Sequence, residues 1–453
     1  MRFSEYDPLE VVEVAEEVIS VCEQYPAYFS FFDASLVRKQ AQEVRDRLVS
    51  GEEVGCLAGV FVSVKDNLCV EGVSSCANSR ILEGYKPFFD ATAVRLLRKQ
   101  GAIILGKTSM DEFGFGSFNV NVGLGRSVPA NPVDSSRVTG GSSGGSAALT
   151  AVLSSFPHVS LAESTGGSIA CPASFCGVLG FTPSYGVVSR HGLISYANSL
   201  DKVGVMGLYE EDVSLVMRLL SVQDSSDSTS VVLPKTSSSV SRVGVFRPQG
   251  VSEEVLEVFE EFVSSLKKEY EVVEVSFPTT MKFGVSCYYV LAMCEASTNL
   301  ACLSGLRYGK EGSKRGVSFS EYFSSVRSKH FNEESKRRVM LGTFARMAGY
   351  RDAFYERAAR VRTLIIDEYK EVFEGVDVFV SPAMPMVAPL FEEVSSLSAA
   401  QTYAMDSLLV GPNLAGLPHM SVPLSSKSLP VGALVVGGQL ADKQVLSFVE
   451  ALR

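Results

Sequence analysis

Two short stretches of the chain crowd hydroxyls among glycines. Thr139, Gly140, Gly141, Ser142, Ser143, Gly144, Gly145 and Ser146 form the first, and Ser164, Thr165, Gly166, Gly167 and Ser168 form the second. One runs straight into Ala147, Ala148 and Leu149 and the other into Ile169, Ala170 and Cys171, so both are embedded in folded structure and neither is a linker. Such stretches suit nucleophilic catalysis. A serine hydroxyl attacks, and the backbone N–H groups of Thr165, Gly166, Gly167 and Ser168 converge on the resulting oxyanion in a turn whose dihedrals glycine tolerates. The hydroxyl needs a base to take its proton. The four histidines, His158, His191, His330 and His419, stand in no recognisable serine-hydrolase setting. A lysine can substitute if burial lowers its pKa enough to free the amine.

The elements that must position these groups alternate between helix and strand. Asp7 before Pro8 predicts a helix over residues 8–24, and a second spans Ala34 to Val49. Cys56 to Val64 reads as a buried strand that ends at Lys65. Helix from Ala91 to Lys99, a stop at Gly101 and a strand from Ala102 to Leu105 continue the rhythm. Gln223 to Ser241 is serine-rich without apolar periodicity and is expected to be an exposed connection. Beyond it, Val243 to Phe246, Glu253 to Lys268 and Tyr270 to Phe277 read as a βαβ-like run, and Arg351 to Phe373 as a long helix.

Composition narrows the function. A chain of 453 residues with 46% apolar and 20% charged side chains is an ordered globular protein. The net charge of −10 disfavours phosphate backbones and anionic membranes as direct partners. The nine cysteines form no CxxC pair, as in a reducing compartment, and no metal-binding cluster stands out, which points to the cytoplasm and to a chain without its own cofactor or metal. The first residues are acidic where a signal peptide would be apolar, and no apolar run approaches the ~20 residues that span a bilayer.

The sequence resembles the amidase signature family, with a lysine at a strand end (Lys65, Asp66, Asn67), a GGSSGG loop (Gly140 to Ser146) and a TGGS turn (Thr165 to Ser168). The likeness runs on through Pro172, Ala173, Phe175, Cys176, Gly177, Gly180, Pro183, Tyr185, Gly186, Ser199, Leu200 and Asp201. It implies an α/β fold, one large mixed central β-sheet covered on both faces by helices, in a single domain. That domain would comprise N-terminal helices (1–55), a signature core (56–215), the serine-rich connection (222–242) and a C-terminal part (243–453) supplying the substrate pocket. It also implies the roles: Ser168 as nucleophile, Ser142 as proton relay, Lys65 as base. Ser146 and Ser164 are expected to be structural hydroxyls that cap nearby N–H groups. Two departures stand out. Many members carry Asp and Arg where this chain has Ser164 and Ala170, and the loss of both charges together is compatible with an active enzyme.

Within the family, Met110, Asp111, Glu112, Phe113, Gly116 and Ser117 resemble the glutaminase components of glutamyl-tRNA(Gln) amidotransferases. So do Tyr288, Tyr289, Glu295, Lys336, Arg337, Arg338 and the run from Pro412 to Pro418 that follows Asp406. This resemblance implies a glutamine pocket in which Asp406 holds the ammonium and Arg338 the carboxylate, with Tyr289 (or its neighbour Tyr288) and Ser117 lining it. It implies partner subunits B and C in a heterotrimer that receives the ammonia and carries ATP, Mg²⁺ and the charged tRNA. No GxxxxGK[ST] loop for ATP occurs in this chain. A self-sufficient amidase for small amides is the alternative, and it would need the serines and Lys65 but not Asp406 and Arg338.

Overall fold

The computed structural model describes residues 1–234, 239–312, 316–426 and 428–452. Its first elements follow from local chemistry. The Asp7 side chain accepts the Leu9 N–H and starts a short 3₁₀ turn that leads into helix α1 (Val11–Gln24). Asp33 caps α2 (Ala34–Val49) in the same way through Ser35. The apolar run from Cys56 becomes strand only at Phe61. Gly59, with φ of +76° and a Tyr6 ring packed where a side chain would stand, makes a partly buried turn of the residues before it.

Eleven strands form one sheet: β1 (Phe29–Phe32), β2 (Phe61–Lys65), β3 (Ile103–Thr108), β4 (His158–Ser164), β5 (Leu179–Thr182), β6 (Lys202–Gly207), β7 (Arg242–Val245), β8 (Glu271–Glu274), β9 (Val378–Pro382), β10 (His419–Leu424) and β11 (Val431–Gly437). Their spatial order is β1-β3-β2-β4-β6-β5-β10-β11-β9-β7-β8. Strand β2 runs parallel to β3 and β4, β7 runs parallel to β8 and β9, and the other pairs are antiparallel, so the sheet is mixed as the family resemblance implied.

Side chains alternate across the sheet and bury both faces. Val62, Val64, Val159, Leu161, Val203 and Val435 face a core closed by helices α3 (Thr92–Lys99), α6 (Glu210–Leu220), α7 (Glu253–Leu266) and the closing helix Asp442–Ala451. On the opposite face, Phe61, Ile103, Leu105 and Ala162 pack against α1, α2 and helix α4 (Gly144–Val152). Further along, Phe379, Leu434 and Val436 join a core with α8 (Pro278–Asn299) and α11 (Arg357–Phe373). Lys65 stands at the C-terminal end of β2, where the parallel strands β2 and β4 open onto the two Gly-Ser segments.

Two expectations need correction. The long helix begins with a π-turn, Asp352–Glu356, ahead of α11. The serine-rich segment is less exposed than its composition suggests. Among its described residues, Asp224 accepts hydrogen bonds from Thr92 and Ser189, and the nearly buried Asp227 accepts the Arg190 N–H. Aspartates that satisfy neighbouring donors tie a polar segment down without any apolar period. Lys235, Thr236, Ser237 and Ser238 lie outside the described residues. No helix of the described residues is long and apolar enough to cross a membrane, and all nine cysteines are free thiols.

Candidate active site

Lys65 is fully buried, and its Nζ donates to Ser142 Oγ at 2.8 Å, to the Glu163 carbonyl at 2.8 Å and to Glu163 Oε2 at 3.0 Å. Burial pulls the ammonium below the usual lysine range, while Glu163, Asp111 and Asp201 pull the other way. Ser142 therefore has the lysine on its hydroxyl, whereas Ser143 donates to the Glu163 carbonyl at 3.2 Å. Ser168 lies two residues before helix α5 (Ala170–Cys176). Among the described residues no hydrogen bond joins its hydroxyl to Ser142. Its exposure of 7% leaves the hydroxyl as the reachable member of the three, since Lys65 and Ser142 are sealed.

The turn that carries Ser168 is shaped by its glycines. A Cβ on Gly166 would stand 2.6 Å from the Tyr288 ring, and one on Gly167 would stand 2.5 Å from the Leu409 side chain. The Gly166 carbonyl is held by the Asn413 amide, and the N–H groups of Gly166, Gly167 and Ser168 meet no acceptor among the described residues. Unpaired donors beside a serine are what a developing oxyanion requires. Alanine at Gly166 must displace a buried tyrosine, so we expect Gly166→Ala to cost about 1–3 kcal/mol in urea unfolding.

A second group of side chains gathers around Asp406. Its Oδ2 accepts from Tyr289 at 2.6 Å and from Ser117 at 3.1 Å, while Oδ1 accepts nothing among the described residues. Burial raises its pKa, opposed by those two bonds and by Arg338. Arg338, on helix α10 (Glu333–Arg346), is buried inside an aromatic cage of Phe115, Tyr196, Tyr289 and Tyr403, each ring centroid 5.2–5.7 Å away. Its Nε donates to Glu334 at 2.8 Å and its Nη1 to Tyr196 OH at 2.6 Å; Nη2 remains without an acceptor among the described residues. Tyr289 thus touches both Asp406 and Arg338, while Tyr288 covers Gly166. A buried carboxylate and a buried guanidinium, each with one unused polar atom, fit a ligand bearing opposite charges.

A family model described as Amidase matches residues 10–446. The chain belongs to the amidase family. It is 42% identical over 418 residues to the A component of the Archaeoglobus fulgidus glutamyl-tRNA(Gln) amidotransferase, covering 91% of this chain and 90% of that one. The corresponding component of the Microcystis aeruginosa enzyme is 40% identical over 457 residues, covering 97% and 93%. Among solved structures, the same component of the Thermotoga maritima enzyme superposes with a TM-score of 0.78 at 32% identity, covering 98% of this chain and 92% of that one.

The amidase site contains residues that sequence reasoning missed. Glu163 is the foremost. The resemblance led us to look for a carboxylate at position 164, where Ser164 stands, and the carboxylate is present one residue earlier. Ser164 caps no N–H; its hydroxyl is buried without a partner, while Ser146 pairs with the Thr108 hydroxyl at 2.6 Å. A lone acid at the end of the run Val159 to Ala162, apolar but for Ser160, was the available signal. The cage residues Phe115, Tyr196, Glu334 and Tyr403 carried none, because they come from four separate segments. Asp111 accepts the N–H groups of Asn119 and Asn121, both at 2.9 Å, and so pins the loop that presents Ser117. Among the described residues no cluster of His, Cys, Asp and Glu could hold a metal ion.

Proposed function

We propose that this amidase is the glutaminase component of a glutamyl-tRNA(Gln) amidotransferase. Lys65, as the neutral amine, takes the Ser142 proton while Ser142 takes that of Ser168. Ser168 Oγ attacks the glutamine side-chain amide, and the N–H groups of Thr165, Gly166, Gly167 and Ser168 receive the oxyanion. The relay then returns a proton to the leaving nitrogen, releasing ammonia and leaving a glutamyl ester on Ser168, which water hydrolyses by the same route. Asp406 holds the glutamine ammonium, Arg338 its carboxylate, and Tyr289 and Ser117 keep Asp406 oriented.

The observation that carries this reading is the pairing of a buried lysine-serine contact with a second, oppositely charged pocket at Asp406 and Arg338. The names of the relatives support the rest. Partner subunits, B and C in a heterotrimer, would take the ammonia in the cytoplasm and supply ATP, Mg²⁺ and the charged tRNA, for which this acidic chain has no phosphate-binding loop.

The test is ammonia release from glutamine by the purified chain, with and without partner subunits and charged tRNA. Turnover is expected to require Ser168, to rise with the partners, and to be lost in Ser168→Ala. Hydrolysis of simple amides by the chain alone, with glutamine untouched under every condition, would replace this reading with a stand-alone amidase. Because a buried Lys65 must lose its proton to act, kcat/KM should level off below the ~10.4 of an ordinary lysine. A rate still climbing at about pH 10 would contradict it.

A further inference from the structure

Glu163 is in contact with most of the proposed machinery. Its carbonyl accepts from Lys65 and Ser143, its Oε2 from Lys65 and from Asn67 Nδ2 at 2.9 Å, and its Oε1 from Thr165 Oγ1 at 2.7 Å. A neutral lysine base requires no anion beside it. A carboxylate there favours the protonated lysine in the resting site, and the same carboxylate stabilises the ammonium that forms when the serine proton arrives.

Proton accounting places the charge. Thr165 Oγ1 lies 2.7 Å from Glu163 and 2.9 Å from Asp201 Oδ1, yet it has one proton to give. Burial, with Glu163 as the nearest like charge, pushes Asp201 well above the usual carboxylate range. Lys65 Nζ and the Asn67 amide both donate to Glu163 Oε2, which puts the carboxylate charge on Glu163 facing Lys65; Asp201–H donating to Thr165 and Thr165 donating to Glu163 fit that placement. The other acids around Lys65 are engaged elsewhere. Asp111, after β3, is held by two backbone amides; Asp66, next to Lys65, accepts from Cys76 and Asn78 and faces Lys107; Asp201, before β6, accepts from Tyr196 and Ala197. Only Glu163 among the described acids reaches Nζ.

We infer that Glu163 is a positioning residue that aims Lys65 at Ser142, ties it through Thr165 to the oxyanion turn, and sets the pH above which the lysine can act. This rests on Lys65 being the base. It goes beyond the triad in giving the site a fourth polar member and in locating the charge that resists deprotonation.

The test uses the full chain and a fluorophosphonate, which phosphonylates an activated serine without needing the glutamine pocket. The pH midpoint of Ser168 labelling is compared among the parent, Glu163→Asp and Glu163→Gln, with folding checked by urea unfolding. Removing an opposite charge within ~4–6 Å moves a pKa by about 1–3 units, so the Gln midpoint should fall by about one pH unit or more, with a slower alkaline plateau. Asp, which keeps the charge but draws it back by one methylene, should fall by less. Ammonia release from glutamine with partner subunits should show the same order. A parent midpoint in either variant, or an Asp midpoint as low as that of Gln, overturns the inference; should Gln not fold, the Asp result decides alone. A parent chain whose Ser168 never labels overturns the catalytic reading instead, and this inference with it.

Discussion

Lys65→Ala is expected to slow glutamine hydrolysis by roughly 10⁴-fold or more, and adding Ser142→Ala in the same chain to cost less than about tenfold further. The near-absence of a second loss follows from the relay. In the proposed mechanism a proton that leaves Ser168 passes Ser142 to reach Lys65, so breaking either link disables the same path. Single-turnover ammonia release on the two single variants and the double variant measures this directly, and losses that simply multiply would rule the relay out. The substitution has a structural cost as well. Glu163 loses its ammonium partner in a fully buried position, and breaking a buried pair from one side costs about 3–5 kcal/mol. Urea unfolding of Lys65→Ala should therefore show a large drop in midpoint, recovered in part by Glu163→Gln in the same chain, which removes the stranded charge.

The second large effect concerns recognition. Asp406→Asn keeps the shape and the contacts of Tyr289 and Ser117 while removing the charge proposed to face the glutamine ammonium. Truncating one side of a buried charge pair costs about 2–5 kcal/mol, or roughly 30-fold to several thousand-fold in affinity. We expect KM for glutamine to rise by about that factor, while fluorophosphonate labelling of Ser168 stays at the parent rate. Arg338→Lys should behave similarly, because a point charge cannot offer the planar fork held between the tyrosine rings. If both variants slowed labelling as much as glutamine turnover, the pocket would be acting on the turn and not on the substrate. The raised pKa of Asp406 fits this role. Burial favours the neutral acid in the empty pocket, and an arriving ammonium favours the carboxylate, so glutamine should bind more weakly at low pH.

The sequence and the structure agree most closely where chemistry is local. Helix α2 falls on Ala34 to Val49 because Asp33 caps it and one face is apolar, features that no distant contact needs to complete. The lysine at the end of β2 and the two Gly-Ser segments were legible for the same reason: each is a compact pattern whose residue types have few other uses. Boundaries drifted where apolar residues lie in a partly buried turn, as in Cys56 to Val60, since an apolar run cannot distinguish such a turn from a strand. The Glu163 contact was hidden for a different reason. Its partner Lys65 lies 98 residues away on a neighbouring strand, and the family pattern points to the position after it. The cage around Arg338 is a property of tertiary convergence and leaves no mark on any one segment.

The place of β10 and β11 in the sheet bears on how the molecule is made. They lie inside it, between β5 and β9, yet they follow every other described strand in chain order. Until they arrive, β5 and β9 present open edges to solvent, the kind of surface that invites chaperones and mispairing. The pocket matures equally late, since Ser117 waits 289 residues for Asp406. A chain made only halfway therefore carries Lys65, Ser142 and Ser168 but not Tyr289, Arg338 or Asp406, so the side chains of the second pocket join the site only from the later part of the chain.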